Sequence, residues 1–232
     1  MNRFIQDSAT NLFASPEDIR ALSQKEKASV LVVSDSHGNY SQFMAVLEAF
    51  GKKCDAMVFC GDGISELARL AEEVDAQGEL QDLVPPVIGF VEGNCDQDRQ
   101  MFKNLASDNP YFVPVQVPLT CSMNVCGHGI FFTHGHRFSL YDGPGELVRV
   151  AENSGCDTVL FGHTHYAASA FVPSSGEENG GGVFILNPGS CARPRGGQNP
   201  CFAVLGISRD RGFHDAVFYE IGMGKMVPFI PE

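Results

Sequence analysis

The sequence predicts an α/β fold in which sheets and helices stack in layers within one domain. Short runs of β-branched and aromatic residues recur along the chain, and helical patterns separate the early runs. The later runs follow one another through glycine-rich turns such as residues 174–182, which predicts a second and more antiparallel sheet. A chain of 232 residues with 44% hydrophobic residues is long enough to bury a substantial core.

The first predicted helix lies in residues 15–27. Ser15 is suited to cap it and Pro16 to its first position, while Glu17 and Asp18 face the positive end of the helix dipole. The segment therefore predicts a helix that starts directly after Ser15.

Eight apolar runs are predicted to be buried strands, because each is too short and too punctuated for a helix. They span residues 29–34, 55–60, 86–91, 129–133, 157–161, 182–187, 201–207 and 216–221. Three helical patterns lie between the earlier runs, at residues 40–50, 65–75 and 144–155. The acidic residues of the last two helices are expected to form solvated faces.

The net charge of −12 excludes some classes of function. With 28 acidic and 16 basic residues, the chain lacks the basic surface that tight binding to nucleic acid or to anionic membranes requires. A phosphorylated substrate would need positive charge concentrated locally, and a metal ion would supply it. No run reaches the ~18–20 apolar residues of a membrane span and the N-terminus has no signal-peptide core, so a cytoplasmic protein with reduced cysteines is expected.

Five of the predicted strands end in side chains that commonly bind metals. These are Asp35 and His37, Asp62, Asn94, His134 and His136, and His163 and His165. In an open α/β sheet, ligands bind outside the carboxyl ends of the strands, so these ends are expected to meet at one crevice. Residues at positions i and i+2 of an extended segment point to the same side, which would direct each D-x-H or H-x-H pair to a shared centre.

The ligand types predict the chemistry of this crevice. Carboxylates, an amide oxygen and imidazoles together suit borderline divalent metals such as Mn, Fe, Co, Ni or Zn, and do not suit calcium. Even seven of these eight side chains are too many ligands for one metal that keeps a position for water, so two metals sharing a carboxylate are expected. Metal pairs of this kind, ~3.5–4 Å apart, are the recurring machinery of phosphoester hydrolysis.

The motifs D-x-H, G-D, G-N, H-G-H and G-H-x-H occur in this order, and the chain resembles the calcineurin-like metallophosphoesterase superfamily. The matching phrases are SDSHGN (34–39), CGDG (60–63), EGNCD (92–96), THGH (133–136), FGHTH (161–165) and NPGS (187–190). The sequences of these segments resemble those of the small YfcE-type phosphodiesterases of bacteria and archaea. The resemblance implies a four-layer sandwich of two mixed β-sheets flanked by helices.

The resemblance also implies a domain boundary. Residues 29–232 would form the metallophosphoesterase domain, and residues 1–28 would be an N-terminal extension outside it. The extension could pack on a sheet edge, mediate oligomers or shade the site, and the sequence does not choose among these roles.

A role for each candidate ligand follows from the resemblance. It implies a first metal held by Asp35, His37 and His165 and a second held by Asn94, His134 and His163, with Asp62 bridging both. We expect two divalent transition-metal ions, with manganese first and nickel, cobalt, zinc or iron as alternatives. The implied reaction is phosphoester hydrolysis, in which a hydroxide bridging the metals attacks phosphorus.

Cys95 stands where many relatives have a histidine that acts near the leaving-group oxygen. A thiol with an ordinary pKa of ~8.5 is a poor acid and a weak hydrogen-bond donor compared with an imidazole. The YfcE-type relatives with cysteine there generally favour phosphodiesters over monoesters, so a small phosphodiester is the expected substrate. The residues expected to act in catalysis are Asp62, Asn94, Cys95 and His136.

Some neighbouring residues keep two or more interpretations. His136 could orient His134, touch the substrate phosphate or cap a strand. Asn39 is better explained as a helix cap than as a site residue. Arg193 and Arg195 could contact phosphate, although a solvated loop is slightly favoured. His128 and His214 are expected at the surface, and Asp96 is expected to support a turn or the ligands.

Two other functions stay open. One is a phosphomonoesterase or nucleotidase of the same fold, and the other is a non-catalytic scaffold like a retromer subunit. The expected partner is a small phosphodiester substrate, with no strong nucleic-acid binding and no membrane, and a homo-oligomer is left open.

Overall fold

A computed structural model describes the chain over residues 2–76, 78–105, 108–109, 111–140, 143–173, 181–210, 214–222 and 225–231. Its helices are α1 (Pro16–Gln24), α2 (Tyr40–Phe50), α3 (Ile64–Ala76) and α4 (Gly145–Asn153), with short 3-10 turns at Gly51–Lys53 and Gly78–Leu83. Its strands are β1 (Lys27–Val33), β2 (Ala56–Phe59), β3 (Val87–Phe90), β4 (Arg99–Asn104), β5 (Tyr111–Gln116), β6 (Thr120–Val125), β7 (His128–Thr133), β8 (Thr158–Phe161), β9 (Ala167–Pro173), β10 (Gly182–Pro188), β11 (Cys201–Ser208), β12 (His214–Ile221) and β13 (Met226–Phe229).

Two mixed sheets form the centre of the fold. The first has six strands in the order β13-β12-β11-β1-β2-β3, in which β1, β2 and β3 run parallel and the others antiparallel. The second has five strands in the order β6-β7-β8-β10-β9, in which β7, β8 and β10 run parallel. Strands β4 and β5 form a separate hairpin.

The sheets pack face to face, and helices cover their outer faces. Val30 and Val32 of β1 belong to a core that includes residues of the five-stranded sheet, whereas Leu31 and Val33 pack in the core formed with α2 and α3. On the other side, Leu147 of α4 is buried in a third core against the five-stranded sheet. Strand residues alternate between faces, so one apolar run serves two cores. This arrangement confirms the predicted four-layer α/β sandwich.

The composition of the second sheet differs from the prediction. The late strands β11–β13 do not form it, because β11 pairs antiparallel with β1 and extends the first sheet. The parallel strands β7 and β8, joined through α4, belong to the second sheet instead. The predicted turn at residues 174–182 lies almost wholly outside the described residues. No described helix has the length and apolar character needed to cross a membrane.

The four predicted helices are present, with changes at their ends. Ser15 caps α1 by accepting a hydrogen bond from the Asp18 backbone at 3.1 Å. The helix ends at Gln24, earlier than the predicted segment, because Lys27 already begins β1. In α3 the prediction of a solvated acidic face fails for Glu66, which is only 4% exposed.

Residues 2–14 pack on the open edge of the six-stranded sheet. Phe13 bridges to Ile88 of β3 through backbone hydrogen bonds of 2.9 and 3.0 Å. Its ring stacks on that of Phe90 with centroids 4.4 Å apart, and it also contacts Phe102 of the hairpin. Of the roles left open for the N-terminal extension, packing on an edge is the one seen in the structure.

Candidate metal site

Each candidate ligand lies just beyond the carboxyl end of a strand. Asp35 and His37 follow β1, Asp62 follows β2 and Asn94 follows β3 in one sheet, while His134 follows β7 and His163 and His165 follow β8 in the other. Because both sheets present parallel strands at the same end, the structure brings all seven side chains to one crevice.

The loops that carry these side chains use left-handed backbone. Positive φ angles occur at Asp35 (57°), His37 (44°), Asp62 (56°), His163 (69°) and His165 (59°). Such angles are strained for residues other than glycine and cluster at functional sites. The predicted reason for convergence, an extended backbone in which positions i and i+2 share a side, is therefore wrong. The loops curl, and the curl itself directs the side chains inward.

The glycines of the G-D and G-N motifs allow these loops to touch. A Cβ atom on Gly61, whose φ is +90°, would lie 2.8 Å from the Gly93 nitrogen and 2.9 Å from His134 Nδ1. A Cβ atom on Gly93 would lie 2.1 Å from Asp62 Oδ1. Larger residues would push the two ligand loops apart.

The centre of the site is the carboxylate oxygen Oδ1 of Asp35. It lies 3.0 Å from His165 Nε2, 3.6 Å from His37 Nε2 and 3.9 Å from His134 Nε2. The Nε2 atoms of His37 and His165 are 3.0 Å apart. One ligand atom each from Asp35, His37, Asp62 and His165 lies within 4.8 Å of the others, which makes this group a candidate metal site.

Asp62 connects this group to the remaining candidates. Its Oδ2 lies 3.7 Å from His37 Nε2 and 3.6 Å from His134 Nε2. Asn94 Oδ1 lies 3.2 Å from the same His134 nitrogen. The His163 ring is 5.2 Å from the His134 ring between centroids. The second candidate set thus surrounds His134, with Asp62 between the two sets.

The hydrogen bonds of the histidines show which ring nitrogens face the centre as acceptors. Nδ1 of His165 lies 2.6 Å from the Arg193 carbonyl oxygen, and Nδ1 of His134 lies 2.6 Å from that of Cys60. A carbonyl only accepts, so both Nδ1 atoms carry the proton and the neutral rings present the Nε2 lone pair to the site. Metal-binding histidines are typically held in this way.

The buried Asp35 Oδ1 receives no hydrogen bond from any described residue. It faces imidazole nitrogens that, in their neutral form, offer lone pairs as well. Buried polar atoms without partners are costly, and a cluster of converging acceptors is satisfied by a cation. The residues present therefore fit a divalent metal ion bound by carboxylates and imidazoles.

Without a metal, the acids and bases of the site shift one another's pKa. Burial alone would raise the pKa of Asp35, but the adjacent His165 and His37 rings hold it well below its usual range. Burial acts likewise on Asp62, and His134 with the Cys95 N–H lowers its pKa to about 2. The Asp35 carboxylate raises the pKa of His165. Burial opposes the effect of Asp62 and Asp35 on His134, whose pKa is nevertheless raised.

Asp96 supports the Asp62 loop, and its predicted turn-forming role is now specific. Its carboxylate accepts hydrogen bonds from the backbone N–H of Asp62 (2.7 Å), Gly63 (2.9 Å), Ile64 (3.1 Å) and Gly93 (3.0 Å). One side chain thus fixes the loop after β2, the start of α3 and the loop after β3.

Glu66 is a supporting residue that the sequence reasoning missed. Its carboxylate accepts hydrogen bonds from the Ser36 hydroxyl and, at 2.7 Å, from the Gly38 N–H, so it grips the loop on both sides of His37. The signal that could have revealed it is a glutamate on the first turn of α3, four residues after Asp62.

The two residues with open catalytic roles differ in their surroundings. Cys95 is exposed, and partial burial of its sulfur together with the Asp62 carboxylate raises the pKa of its thiol to about 11. Its backbone N–H donates to Asp62 Oδ1 at 2.7 Å. His136 lies 5.4 Å from the His134 ring between centroids, and burial lowers its pKa. Its buried Nδ1 meets no hydrogen-bond partner among the described residues.

A cavity of about 360 Å³ opens over the candidate ligands. Its lining residues are His37, Asp62, Asn94, Cys95, His163, His165, Arg193, Pro194 and Arg195. Both arginines of the Arg193-Pro194-Arg195 loop are exposed and border this cavity, so phosphate contact and a solvated loop both stay predictions for them. A larger cavity of about 580 Å³, lined by Ser29, Asp55 and others, contains none of the candidate ligands.

Two predictions about other neighbours have clear outcomes. Asn39 caps α2, accepting a hydrogen bond from the Gln42 N–H at 3.3 Å, as expected. His128 was expected at the surface, but its side chain is only 17% exposed and its Nδ1 lies 2.6 Å from Asp157 Oδ2. The side chain of His214 lies outside the described part of the chain.

Known proteins resemble the chain over most of its length. The sequence profile of the calcineurin-like phosphoesterase superfamily domain matches residues 29–210. The chain is 28% identical to the probable metallophosphoesterase YsnB of Bacillus subtilis over 196 residues, which is 83% of this chain and 94% of YsnB. It is 29% identical to the phosphodiesterase YfcE of Escherichia coli over 183 residues, which is 76% of this chain and 86% of YfcE.

The fold has counterparts of more distant sequence. The structure of Vacuolar Protein Sorting 29 from Cryptosporidium parvum matches with a TM-score of 0.60 at 19% identity, covering 88% of this chain and 97% of that one. That match concerns the fold alone, whereas the profile match extends from β1 to β11 and includes all five ligand-bearing loops. The chain belongs to the calcineurin-like metallophosphoesterase superfamily.

Proposed function

We propose that the protein is a metal-dependent phosphodiesterase that binds two divalent metal ions. The observation that carries the proposal is the buried Asp35 Oδ1, which lacks a hydrogen-bond donor among the described residues and faces the Nε2 atoms of His165 and His37 at 3.0 and 3.6 Å. An arrangement of acceptors around a common centre is costly to bury, and a bound cation stabilises it.

The position of Asp62 supports two ions rather than one. Its Oδ2 lies at nearly the same distance from His37 Nε2 and His134 Nε2, at 3.7 and 3.6 Å. We assign Asp35, His37 and His165 to a first ion, Asn94, His134 and His163 to a second, and Asp62 to both. Manganese is the first candidate because the set mixes carboxylate, amide and imidazole ligands, and nickel, cobalt, zinc and iron also accept such a set.

Bound there, the ions would supply Lewis acidity and positive charge to a phosphoester held in the cavity. The residues of the chain fix the ligands in place. The Cys95 N–H holds Asp62 Oδ1, the Cys60 carbonyl holds the His134 ring, and the Arg193 carbonyl holds the His165 ring. Such support keeps ligand atoms in position and sets their basicity.

The state of Cys95 supports hydrolysis of a diester without a covalent intermediate. With a thiol pKa of about 11, Cys95 keeps its proton on Sγ near neutral pH and is not a thiolate nucleophile. It is also a poor proton donor to a leaving group, so good leaving groups are favoured. The curated relative YfcE is named a phosphodiesterase, which agrees with this substrate class.

Two alternatives define the outcomes of a test. A phosphomonoesterase or nucleotidase would use the same ions on a dianionic phosphate, and a scaffold would bind no catalytic metal. The complete set of seven ligand side chains weighs against the scaffold. Structural likeness to Vacuolar Protein Sorting 29 concerns the fold and does not decide between them.

The experiment combines metal analysis with hydrolysis of bis-p-nitrophenyl phosphate and p-nitrophenyl phosphate in added Mn, Ni, Co or Zn. We expect about two metal ions per chain and faster cleavage of the diester. Asp62→Asn should reduce kcat by on the order of 10²–10³-fold, whereas the exposed Asp82→Asn is a matched control with the same charge change. A metal-free chain that cleaves neither ester would support the scaffold and refute the proposal.

A further inference from the structure

We propose that the loop of residues 190–198 forms an anion subsite beside the metal site, in which Arg193 and Arg195 bind a second anionic group of the substrate. The group is a phosphate or a carboxylate attached to the substituent that does not leave. This inference rests on the proposed phosphodiesterase function and names the class of diester that the site selects.

The two arginines border the cavity from one side. Arg193 and Arg195 both line the 360 Å³ cavity over the candidate ligands. Arg193 also lines an adjoining cavity of about 270 Å³ that contains Gly63, Ser65 and Glu66. Arg193 therefore lies between the two spaces, and Arg195 faces only the larger one, together with Asn94 and His163. A substituent that extends from the metal site into the larger cavity would meet both guanidinium groups.

The wall of the 360 Å³ cavity over the candidate ligands is polar. Apart from Pro194 and the thiol of Cys95, its lining residues are three histidines, one acid, one amide and two arginines. Small-molecule sites that receive an apolar substituent are lined mainly by hydrophobic and aromatic side chains. The part of the substrate that enters this cavity is accordingly polar, and the two arginines are the positively charged side chains among its described lining residues.

The backbone of the arginine loop is fixed to the metal ligands. The Ser190 hydroxyl donates to the Asp35 carbonyl at 2.7 Å and accepts from the Arg193 N–H at 2.7 Å. His165 holds the loop from the other side, since its Nδ1 donates to the Arg193 carbonyl at 2.6 Å and its own carbonyl accepts from the Arg195 N–H at 3.0 Å. The arginines thus sit at a set distance from the ligand cluster.

The guanidinium groups themselves are uncommitted. Both side chains are exposed, and neither forms an ion pair with any described residue. In a chain of net charge −12, acidic partners are abundant, so two arginines that form no ion pair within the described ranges, at the mouth of one cavity, are informative. Guanidinium forks match phosphate and carboxylate groups and bind them through charge-assisted hydrogen bonds.

The charge balance assigns these arginines to a second anion rather than to the phosphate that is cleaved. A diester phosphate carries one negative charge, and two divalent ions against the carboxylates of Asp35 and Asp62 already leave two positive charges at its position. Further cations beside the phosphate that is cleaved would add little to its binding. Among the described residues that line the 360 Å³ cavity, Arg193 and Arg195 are the arginines, and a second anionic group in that cavity would pair with them.

The test uses p-nitrophenyl phosphodiesters whose second substituent is ethyl, 2-carboxyethyl or 2-phosphoethyl. We expect a kcat/KM at least roughly tenfold higher for one or both charged substituents than for ethyl. The double variant Arg193→Ala/Arg195→Ala should lose roughly 10–100-fold on the charged ester and less than threefold on the ethyl ester. The two charged arms show whether phosphate or carboxylate is preferred.

Matched variants separate recognition from folding. Arg149→Ala removes an exposed arginine of α4 that does not line the cavity, and it should preserve the preference. The double variant Arg193→Lys/Arg195→Lys keeps the positive charge and should retain part of the preference for charged esters that the alanine variant loses. An equal preference for charged and ethyl esters in the wild type, or a preference that survives in the alanine double variant, overturns the proposal.

A binding measurement keeps the outcome independent of hydrolysis. Calorimetry with propylphosphonate, 3-phosphonopropionate and propane-1,3-bisphosphonate, which are not cleaved, should show at least one of the two compounds with a second anionic group binding roughly tenfold tighter than propylphosphonate, in the wild type only. If no ester is cleaved but this difference depends on the arginines, the phosphodiesterase function fails and the subsite stands. If esters are cleaved but the difference is absent, the subsite fails alone.

Discussion

The carboxylate of Asp96 accepts a hydrogen bond from the backbone nitrogen of Asp62 at 2.7 Å, and this contact joins two motifs that lie 34 residues apart. The same carboxylate accepts three further N–H groups from Gly63, Ile64 and Gly93. Asp62 has a left-handed backbone with φ of 56°. A strained residue keeps this conformation only where its surroundings hold it, and Asp96 is the residue that does so.

Asp96→Asn should therefore weaken metal binding without removing a metal ligand. The amide replaces one accepting oxygen with a donor that faces backbone N–H groups, which costs about 1–3 kcal/mol of unfolding free energy. We expect metal affinity to fall by roughly 10–100-fold, measured by calorimetry with Mn. Asp98→Asn makes the same charge change at an exposed position, and an equal effect in both variants would contradict the positioning role.

The candidate site was largely predictable because its signals are local. Each ligand directly follows a buried apolar run, so the sequence places Asp62 or His163 at a strand end without knowledge of the sheet order. The backbone conformation was not predictable, since it arises from contacts such as that between Asp96 and Asp62. The supporting role of Glu66 was not predictable, because its partners Ser36 and Gly38 lie 30 and 28 residues away in the sequence.

Two of the strands that were not predicted, β4 and β9, share a physical reason. In β4 only Phe102 is buried, and β9 exposes most of its residues at the edge of its sheet. Strands of this kind show no continuous apolar run and no clean alternation, so periodicity does not reveal them. The packing of Phe13 on Ile88 also depends on residues 75 positions apart, which local patterns do not encode.

Glu66→Ala tests the support of His37. One oxygen of the Glu66 carboxylate, Oε1, accepts both hydrogen bonds, from the Ser36 hydroxyl and from the Gly38 N–H, and alanine removes this acceptor. We expect Mn affinity to fall by roughly tenfold or more while the thermal transition stays cooperative. Glu72→Ala, on the exposed side of α3, is the matched control. Unchanged Mn affinity in Glu66→Ala would show that Ser36 and Gly38 do not need this acceptor.

Phe13→Ala tests the attachment of the N-terminal segment. Phe13 is fully buried and stacks on Phe90, so its truncation should cost about 3–5 kcal/mol of unfolding free energy. Urea denaturation measures the loss, and Ile5→Ala, at a residue that is 40% exposed, should cost less than about 1 kcal/mol. Metal content should remain unchanged, because the segment packs on β3 and not on the ligand loops. A loss below 1 kcal/mol for Phe13→Ala would mean that the segment is dispensable.

The pKa shifts predict how the stability of the metal-free protein varies with pH. The lowered pKa of Asp62, about 2, contributes stability above its usual pKa of ~3.9 that is lost as pH falls towards 2. The raised pKa values of His134 and His165 contribute stability below ~6.5 that is lost as pH rises through them. The metal-free protein is therefore helped by these pairs between about pH 4 and 6.5.

Metal must displace the protons of His134 and His165, so it binds more weakly at low pH. The increase in Tm on adding Mn should be larger at pH 8 than at pH 5.5. Apparent affinity should change by roughly tenfold per pH unit for each displaced proton below the raised pKa values. A Tm increase that is equal at both pH values would contradict the assignment of these two rings as metal ligands.

Cys95→His tests the basis of the diester preference. Cys95 lines the cavity beside Asp62 and Asn94, and its thiol pKa of about 11 makes it a poor proton donor. An imidazole at this position could protonate a leaving-group oxygen, and general acid catalysis contributes typically 10²–10⁴-fold where the leaving group is poor. We expect the ratio of diester to monoester kcat/KM to shift towards the monoester by at least roughly tenfold. Cys95→Ser, which removes the thiol without adding an imidazole, should leave the ratio within about threefold of the wild type. If the histidine and serine variants give the same ratio, the side chain at position 95 does not set the substrate class, and the preference must arise from the metals and the arginine loop.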